Sequence, residues 1–535
     1  MAEKVIRTII PGPPGTGKTY RLIEGPNSYL RQELRKGTHP SKIAYLTFGK
    51  DPTEEVQRKL AGIVKEFPQY KLDKDFPFFS TMHAMGKRNN TKFTKNNLLT
   101  GKEWNGFKTY IQKSQGNDYF SRFPYDEKEN EDGVMTFGNQ YLKAVNLSRC
   151  RKIPLRKQHK EMLIDYPNFK YSKLEVFVNH LTQYKKTKPM FDFTDMIYLF
   201  KKDEIMKKLN LEVIFLDEAQ DLNPLQWEMF FYIEENCQRS YIAGDDDQTI
   251  FKFQGADPTP FIELNGIIDD KETTISRRVP KKIYTEALKI LNCIRERRNK
   301  KWEPKEEEGK FLNNQLFHNL NYTKGQWFLL FRWKKDNLMV KKVKEHFYRK
   351  HIYFDKGNKF LPPKLVRSLI VWKKLNNKES IRGEEISDIW EYMSGKKIKP
   401  KAKNLEKLKE ARNEQLTLEE LMSEYGILCK GKWQDCFDLI KDPGQISYIE
   451  NVEKDLNSKE KARVRIRTIH GAKGDEAENV VIFPDMPKPA WKSAARDPDT
   501  EHRMWFVAIT RAKQKVYWLN AETKNFYRIG NKRIA

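Results

Sequence analysis

The segment Gly12–Thr19 reads GPPGTGKT and follows at once on the apolar run Val5–Ile10. This G-x-x-x-x-G-K-[ST] spacing confines the backbone to a strand, a tight loop and a helix. Gly15 and Gly17 let the loop curl until its N–H groups converge. The helix that follows aims the positive end of its dipole at the same point. A loop of that kind cradles phosphate oxygens. Lys18 is placed to reach the terminal phosphates and the Thr19 hydroxyl to ligate Mg²⁺, while Gly12, Thr16 and Tyr20 complete the nucleotide set.

Similar short apolar runs with polar or Gly punctuation recur at Ile43–Phe48, Phe78–His83, Val213–Leu216 and Tyr241–Ala243. A second set follows at Trp327–Phe331, Val464–His470, Val480–Phe483 and Val516–Leu519. Continuous runs of this length suit strands buried on both faces of a parallel sheet. The pattern predicts an α/β chain with two sheet domains and helices between the strands. At 535 residues the chain also exceeds what one core holds. The polar stretch between His83 and Phe191 reads as a helical insertion into the first domain. The Lys/Glu-rich stretch from Leu375 to Ile446, including GKKIKPKAKNLEKLKEARNEQ, reads as another into the second. The charge run Arg295–Lys310 reads as a solvated helix end and loop.

Charge narrows the partner. Lys and Arg number 100 against 73 Asp and Glu, a net charge of +27, which favours a polyanion and above all nucleic acid. No apolar run approaches the ~18 residues of a spanning helix, and MAEKVIRTII lacks a signal-peptide apolar region. The five cysteines, at 150, 237, 293, 429 and 436, form no CxxC pair. That spacing disfavours a zinc ribbon or a disulfide scaffold and predicts a reducing, cytoplasmic setting.

The strand Val213–Leu216 ends in Asp217-Glu218. Asp217 can hold Mg²⁺ through its water shell and Glu218 can polarise an attacking water. An N-cap pair for the next helix would look the same in isolation. Beside the phosphate loop, the pair predicts a nucleoside triphosphatase.

VIFLDEAQDLNPLQ (213–226), IAGDDDQTIFKFQGAD (242–257), TIHGAKGDEAENVV (468–481) and EHRMWFVAITRA (501–512) resemble the ordered motifs of superfamily 1 DNA helicases of the Rep/UvrD/PcrA type. YLTFGK (45–50), STMHA (80–84) and DFTDMI (192–197) resemble shorter motifs of the same family, in the same order. The resemblance implies two RecA-like P-loop domains with parallel sheets, each carrying a mostly helical insertion. Domain 1A would span 1–90 and 186–270, insertion 1B 91–185, domain 2A 271–375 and 446–535, and the short insertion 2B 376–445. It further implies ATP and Mg²⁺ between 1A and 2A, with a monomeric motor moving 3′ to 5′ on single-stranded DNA and opening single-strand/duplex junctions.

Roles carry over by position. Gln248 would sense the terminal phosphate, with Lys18 and Glu218 as hydrolytic partners. Arg278 and Arg511 would stabilise charge on the transferring phosphoryl group. Glu476 would lie near ribose and phosphates. Thr47, Thr81, His83, Thr468 and His470 would touch the DNA backbone, and Phe48, Phe251 and Phe253 would stack on bases, a sequence-tolerant contact. The three aspartates of GDDDQ are expected mainly to hold their loop, since Mg²⁺ falls to Thr19 and Asp217.

Four departures stand out. The residues before Gly12 contain no adenine-reading Gln; Arg277 takes the place of a base-stacking Tyr; Gln254 replaces an Arg; and a strand-separating hairpin is reduced to AETKNFYRIGNKRIA (521–535), where Phe526 and Tyr527 are either a short pin or packing residues. An arginine plane can itself stack on a base. Alternatives are a translocase or protein-displacing remodeller with weak unwinding, an RNA-acting helicase, and a non-enzymatic nucleic-acid-binding module. The compact size is consistent with a bacterial cell or a phage-infected host as its setting.

Overall fold

The computed structural model describes residues 5–534 apart from 49, 95, 101–102, 116–118, 126, 130–134, 335–336, 351, 353, 356–360, 400–411 and 455–462. By packing, the chain forms two compact units, Met1–Asn313 with Thr468–Ala535, and Asn314–Arg467. Among the described residues no helix is long and apolar enough to cross a membrane.

The larger unit is built on a six-stranded sheet in the order Phe79–Thr81, Ile43–Thr47, Val213–Leu216, Arg239–Gly244, Ile6–Pro11, Ile267–Ile268. The pairs are parallel, with Leu46 beside Leu216, Leu216 beside Ile242, and Pro11 beside Gly244. Register decides the function here. It brings the carboxyl ends of these strands to one edge, where ligands bind in open α/β sheets. The four inner strands are buried nearly throughout, as their continuous apolar sequences require. One side of the sheet packs Met82, Met85, Ile197, Phe200, Trp227 and Phe230; the other packs Leu22, Ile23, Leu30, Leu60 and Ile63.

Strand bounds follow the sequence closely, with two informative exceptions. The run Phe78–His83 is strand only over Phe79–Thr81, because the Thr81 hydroxyl accepts the Ala84 N–H at 3.2 Å and starts the helix Met82–Asn89. The run Val464–His470 is strand only to Thr468, since His470–Ala472 forms a 3₁₀ turn.

The insertion after Asn90 carries the helices Glu103–Gln115, Gln140–Cys150, Leu155–Met162 and Tyr171–Thr187 around Trp104, Phe107, Phe120, Tyr141 and Phe177. It also holds a short antiparallel pair, Glu127–Glu129 with Met135–Phe137, that the sequence did not foretell. DFTDMI lies at its root. Asp192 and Asp195 cap the helix Phe193–Lys202 reciprocally, and Arg149 holds Asp192 at 2.8 Å and Asp195 at 2.5 Å. Later in this unit, Ala477–Ile482 and Ala512–Leu519 pair in parallel.

The smaller unit contains the buried strand Trp327–Phe331 and the parallel pairing of Phe354 with Val464. Its helices include Leu338–Arg349, Pro363–Asn376 and Pro443–Lys454, and a small antiparallel pair joins Ile381–Arg382 to Gln415–Leu416. The centre of the Lys/Glu-rich stretch expected to be helical, residues 400–411, lies outside the described residues.

The charge run Arg295–Lys310 is largely exposed, as its composition predicts, but departs from that reading at Lys300. The Lys300 side chain is 1% exposed and its ammonium contacts Asp245 at 2.5 Å, Asp246 at 2.6 Å and Asp247 at 2.7 Å. Arg297 grips Asp247 with two hydrogen bonds of 2.8 and 2.7 Å, and the buried Arg503 donates to the Asp246 carbonyl at 2.8 Å. Burial raises the cost of ionising Asp247, yet Lys300 and Arg297 outweigh it and hold its carboxyl down at about 2. The run is buried where it is needed to neutralise three carboxylates.

Replacing Lys300 by Met should therefore leave three buried acids without their shared cation and cost about 3–5 kcal/mol. Urea unfolding of the first transition checks this, with the exposed Lys301→Met as a control expected to change stability by no more than ~0.5 kcal/mol. Equal midpoints for the two variants would refute the assignment.

Candidate nucleotide and nucleic-acid site

The loop Gly12–Thr19 leaves the strand Ile6–Pro11 at the sheet's carboxyl edge, tied to its neighbour by Gly12 N–H to Gly244 O at 3.0 Å. Gly15 and Gly17 take φ of +75° and +89°, which an L side chain rarely adopts. Gly15 also has no room for one: a Cβ there would lie 2.6 Å from Arg278 Cβ and 2.7 Å from Ser276 Oγ. Ser276 donates to the Pro14 carbonyl at 2.8 Å, and Arg277 N–H to the Gly15 carbonyl at 2.8 Å. The loop is thus clamped to the strand Ile275–Pro280. Lys18 folds back so that its ammonium rests 2.9 Å from the Gly12 carbonyl. The helical segment after Thr19 is a five-residue π-helix, Tyr20–Glu24, closed by Gly25. Wide turns of this kind are frequent at functional sites.

Asp217 and Glu218 follow the strand Val213–Leu216 at the same edge. Asp217 is 4% exposed and accepts from Thr19 Oγ1 at 2.9 Å and Tyr45 OH at 2.8 Å through one oxygen. Burial and the adjacent Glu218 charge push its carboxyl up, against the pull of Tyr45 and Lys18. A buried carboxylate sharing a hydroxyl with the phosphate loop is a hard-oxygen set that suits Mg²⁺. Glu218 sits in the left-handed region at φ +53°, an uncommon conformation for this residue type that clusters at active sites. Burial would raise its carboxyl, but Lys18, Lys473 and Arg511 hold it below its ordinary value, ionised and fit to orient water. Gln220 donates to it.

Gln248 is the junction of the site. Its Nε2 donates to Asp245 Oδ2 at 2.7 Å, and its Oε1 accepts from Arg511 at 2.6 Å. Arg511 is 2% exposed; burial and the nearby Arg278 push its guanidinium down to about 9, against the pull of Glu218 and Glu476. Arg278 bonds Glu476 at 2.6 Å, and Lys513 bonds the other Glu476 oxygen at 2.7 Å. Burial is again overridden, since these two cations hold Glu476 at about 2. Lys18, Asp217, Glu218, Gln248, Arg278, Arg511 and Glu476 are therefore drawn into one electrostatic cluster around the loop.

Arg277 is exposed, and its guanidinium lies 4.6 Å over the Tyr20 ring. The same ring fills the space beside Gly25, where a Cβ would meet Tyr20 Cε1 at 2.6 Å. Tyr20 thus covers one face of the exposed Arg277 guanidinium. Thr16 is buried and closes the loop turn on the Pro13 carbonyl at 2.8 Å.

The residues expected to meet DNA divide into two groups. Phe48 stacks on Phe251 at 5.6 Å, Phe251 lies 6.2 Å from Phe253, and His470 sits 5.0 Å edge-on to Phe253. Phe253 is 40% exposed and Phe251 only 8%, so Phe253 offers the open ring and Phe251 buttresses it. Thr47 is 1% and Thr468 8% exposed, and the Thr468 hydroxyl accepts the Gly471 N–H at 3.1 Å. The Thr81 hydroxyl is likewise engaged as a helix cap. Burial pushes the partly buried His83 down to about 4, so its ring is neutral, edge-on to Phe193 at 6.3 Å. Near the C-terminal end of the sequence, Tyr527 is 1% exposed, stacked on Trp505 at 5.2 Å and hydrogen-bonded to His502 at 2.8 Å. It is a packing residue.

Sequence reasoning missed Tyr45, Lys513 and Lys473 as members of the cluster. Lys473 lies inside a quoted motif, three residues before Glu476, and Lys513 follows the end of another, two residues after Arg511; their basic charge near these motif residues was the available signal. Tyr45 offers none, because a strand tyrosine reads as core.

Profiles of known families match most of the chain: the UvrD/REP helicase N-terminal domain over residues 5–268 and the UvrD-like helicase C-terminal domain over residues 168–523. YjcD of Bacillus subtilis is 24% identical over 264 residues, 47% of this chain and 31% of YjcD. A DNA helicase II homologue of Mycoplasma pneumoniae is 23% identical over 279 residues, 50% of this chain and 36% of that protein. The ATP-dependent DNA helicase Rep of Buchnera aphidicola is 24% identical over 166 residues, 30% of this chain and 22% of Rep. The chain matches about a third or less of the length of these three relatives. With the phosphate loop, the paired acids and the two arginines in place, the chain belongs to the UvrD/Rep family of superfamily 1 helicases.

Proposed function

We propose that this protein is an ATP-driven motor that moves 3′ to 5′ on single-stranded DNA and opens duplex ahead of it, built as domains 1A, 1B, 2A and 2B. The observation that supports it best is a single loop. From the strand end at Gly244, the chain reaches Gln248, bonded to Arg511, and five residues on Phe253, the exposed ring. Five residues span at most ~17 Å. Hydrolysis and base contact are therefore joined by one short connector.

In this reading the loop N–H groups and Lys18 hold the ATP phosphates, and Thr19 with Asp217 holds Mg²⁺. Bound Mg²⁺ would neutralise charge developing between the β- and γ-phosphates. Glu218 orients the attacking water and accepts its proton. Gln248 senses the terminal phosphate, while Arg278 and Arg511 stabilise the charge on it. Removing such an arginine finger costs about 10³–10⁵ in rate. The adenine stacks on the outer face of Arg277. A base on Phe253 gains about 1–3 kcal/mol from stacking without regard to sequence.

A second reading, translocation or protein displacement with weak unwinding, gains support from Tyr527. Of the two residues read as either a short pin or packing, Tyr527 is packed inside the unit.

Three outcomes follow. Glu218→Gln should lower kcat at least a hundredfold while ATP affinity stays within about threefold, a general-base loss; parallel loss of binding would make Glu218 structural. Arg277→Ala should raise the KM for ATP by about tenfold, the loss of roughly one stacking contact, and an unchanged KM would place the base elsewhere. Tailed duplexes test direction: strand displacement should need a 3′ tail, preference for a 5′ tail would reverse the polarity, and DNA-stimulated ATPase without displacement would select the second reading.

A further inference from the structure

Lys473 lies in GAKGDE, on the loop after the 3₁₀ turn His470–Ala472. Its side chain is 10% exposed, and its ammonium has three kinds of neighbour. It donates to Asp221 Oδ2, donates to the Gln248 carbonyl at 2.8 Å, and lies 5.1 Å over the Phe251 ring. An ammonium has three donors and no acceptor. Two are spent on hydrogen bonds, and the rest of its charge faces an aromatic π-cloud.

Each neighbour belongs to a different part of the machine. Asp221 ends the turn that starts at Glu218, closed by Asp221 N–H to Glu218 O at 3.0 Å. Its carboxylate is 2% exposed, and among the described residues its second oxygen has no hydrogen-bond partner and Lys473 is the one cation that holds it. The Gln248 carbonyl belongs to the residue that holds Arg511. Phe251 is the buried ring between Phe48, Phe253 and His470. His470 itself lies three residues before Lys473. A base on Phe253 and His470 thus presses on the rings and the loop that place the ammonium. The ammonium cannot follow without altering its bonds to the Glu218 turn or to Gln248. Gly474, at φ +87°, has no neighbour within 4 Å of where a Cβ would lie, so nothing packs against that side of the loop there.

We infer that Lys473 is a positioning residue that couples the DNA platform to the hydrolytic site: it ties Phe251 to the turn of Glu218 through Asp221 and to Gln248 through its carbonyl. This rests on the motor reading above. The coupling is reciprocal, so nucleotide must change DNA affinity by the factor that DNA changes nucleotide affinity. Both effects pass through this one charge.

The test uses the full chain at pH 8 with an oligothymidylate and a non-hydrolysable ATP analogue. Two ratios are read: ATPase kcat with and without the oligonucleotide, and oligonucleotide Kd with and without the analogue. Lys473→Met keeps the stem and removes the charge. Both ratios should fall to within about twofold of one, from a wild-type coupling in the usual range of about 5–150-fold. Asp221→Asn should lose the same coupling, and the double variant should lose little more, as expected for residues acting as one unit. Should Lys473→Met fail to fold, Asp221→Asn and Lys473→Arg decide, with Arg restoring at least part of both ratios. Ratios kept at wild-type size in Lys473→Met, or in Asp221→Asn where Met does not fold, overturn the inference. A wild-type chain that DNA does not stimulate overturns the motor reading itself.

Discussion

Three carboxylates that would repel one another are packed around a single buried ammonium. The contacts of Lys300 with Asp245, Asp246 and Asp247 fix the start of the loop that carries both Gln248 and Phe253. Charges at this burial gain or lose several kcal/mol according to whether a partner is present. The acids, too close for three independent roles, act as one anionic socket. Asp245 has a second duty, because its other oxygen orients the Gln248 amide. The loop's position and the glutamine's orientation come from the same network, so the site is preorganised before any ligand enters.

From that loop the electrostatics spread in two directions. Towards the phosphate loop, cation and anion alternate from Arg278 through Glu476 to Lys513, and these two cations hold Glu476 ionised, while Arg511 bonds Gln248. Towards the aromatic platform, Lys473 extends the same alternation from Asp221 to the face of Phe251. Parallel strand register makes this possible. Pro11, Leu216 and Gly244 end at one edge, so residues far apart in sequence converge without long connecting loops.

Much of this was legible in the sequence, and for physical reasons. A strand followed by G-x-x-x-x-G-K-T permits few backbones, and continuous apolar runs of four to six residues have few homes other than a buried parallel sheet. Spacing singled out Lys18 and Asp217, the resemblance singled out Gln248 and Arg511, and all four lie in one cluster around the phosphate loop. What was not legible depended on burial. Phe251 and Phe253 are two residues apart and chemically identical, yet one is a buttress and the other an open ring. Lys300 sat within a charge run whose composition argued for solvent, and only the fold shows the acids it meets. Thr81 and Thr468 read as backbone contacts, but their hydroxyls are engaged in local caps, a competition that sequence spacing does not resolve.

The folded-back Lys18 has a consequence of its own. Its alkyl stem occupies the space where a side chain on Gly12 would be, 2.2 Å from Cγ to that absent Cβ, and its ammonium is satisfied by the Gly12 carbonyl. The cradle is therefore partly filled by its own lysine. A triphosphate entering this loop would meet a half-buried lysine already hydrogen-bonded, so its capture would exchange one acceptor for another. Departure of the product is the same exchange run backwards, with a carbonyl waiting to take the cation back. A glycine valued for its missing side chain is in this way also a resting place for the lysine.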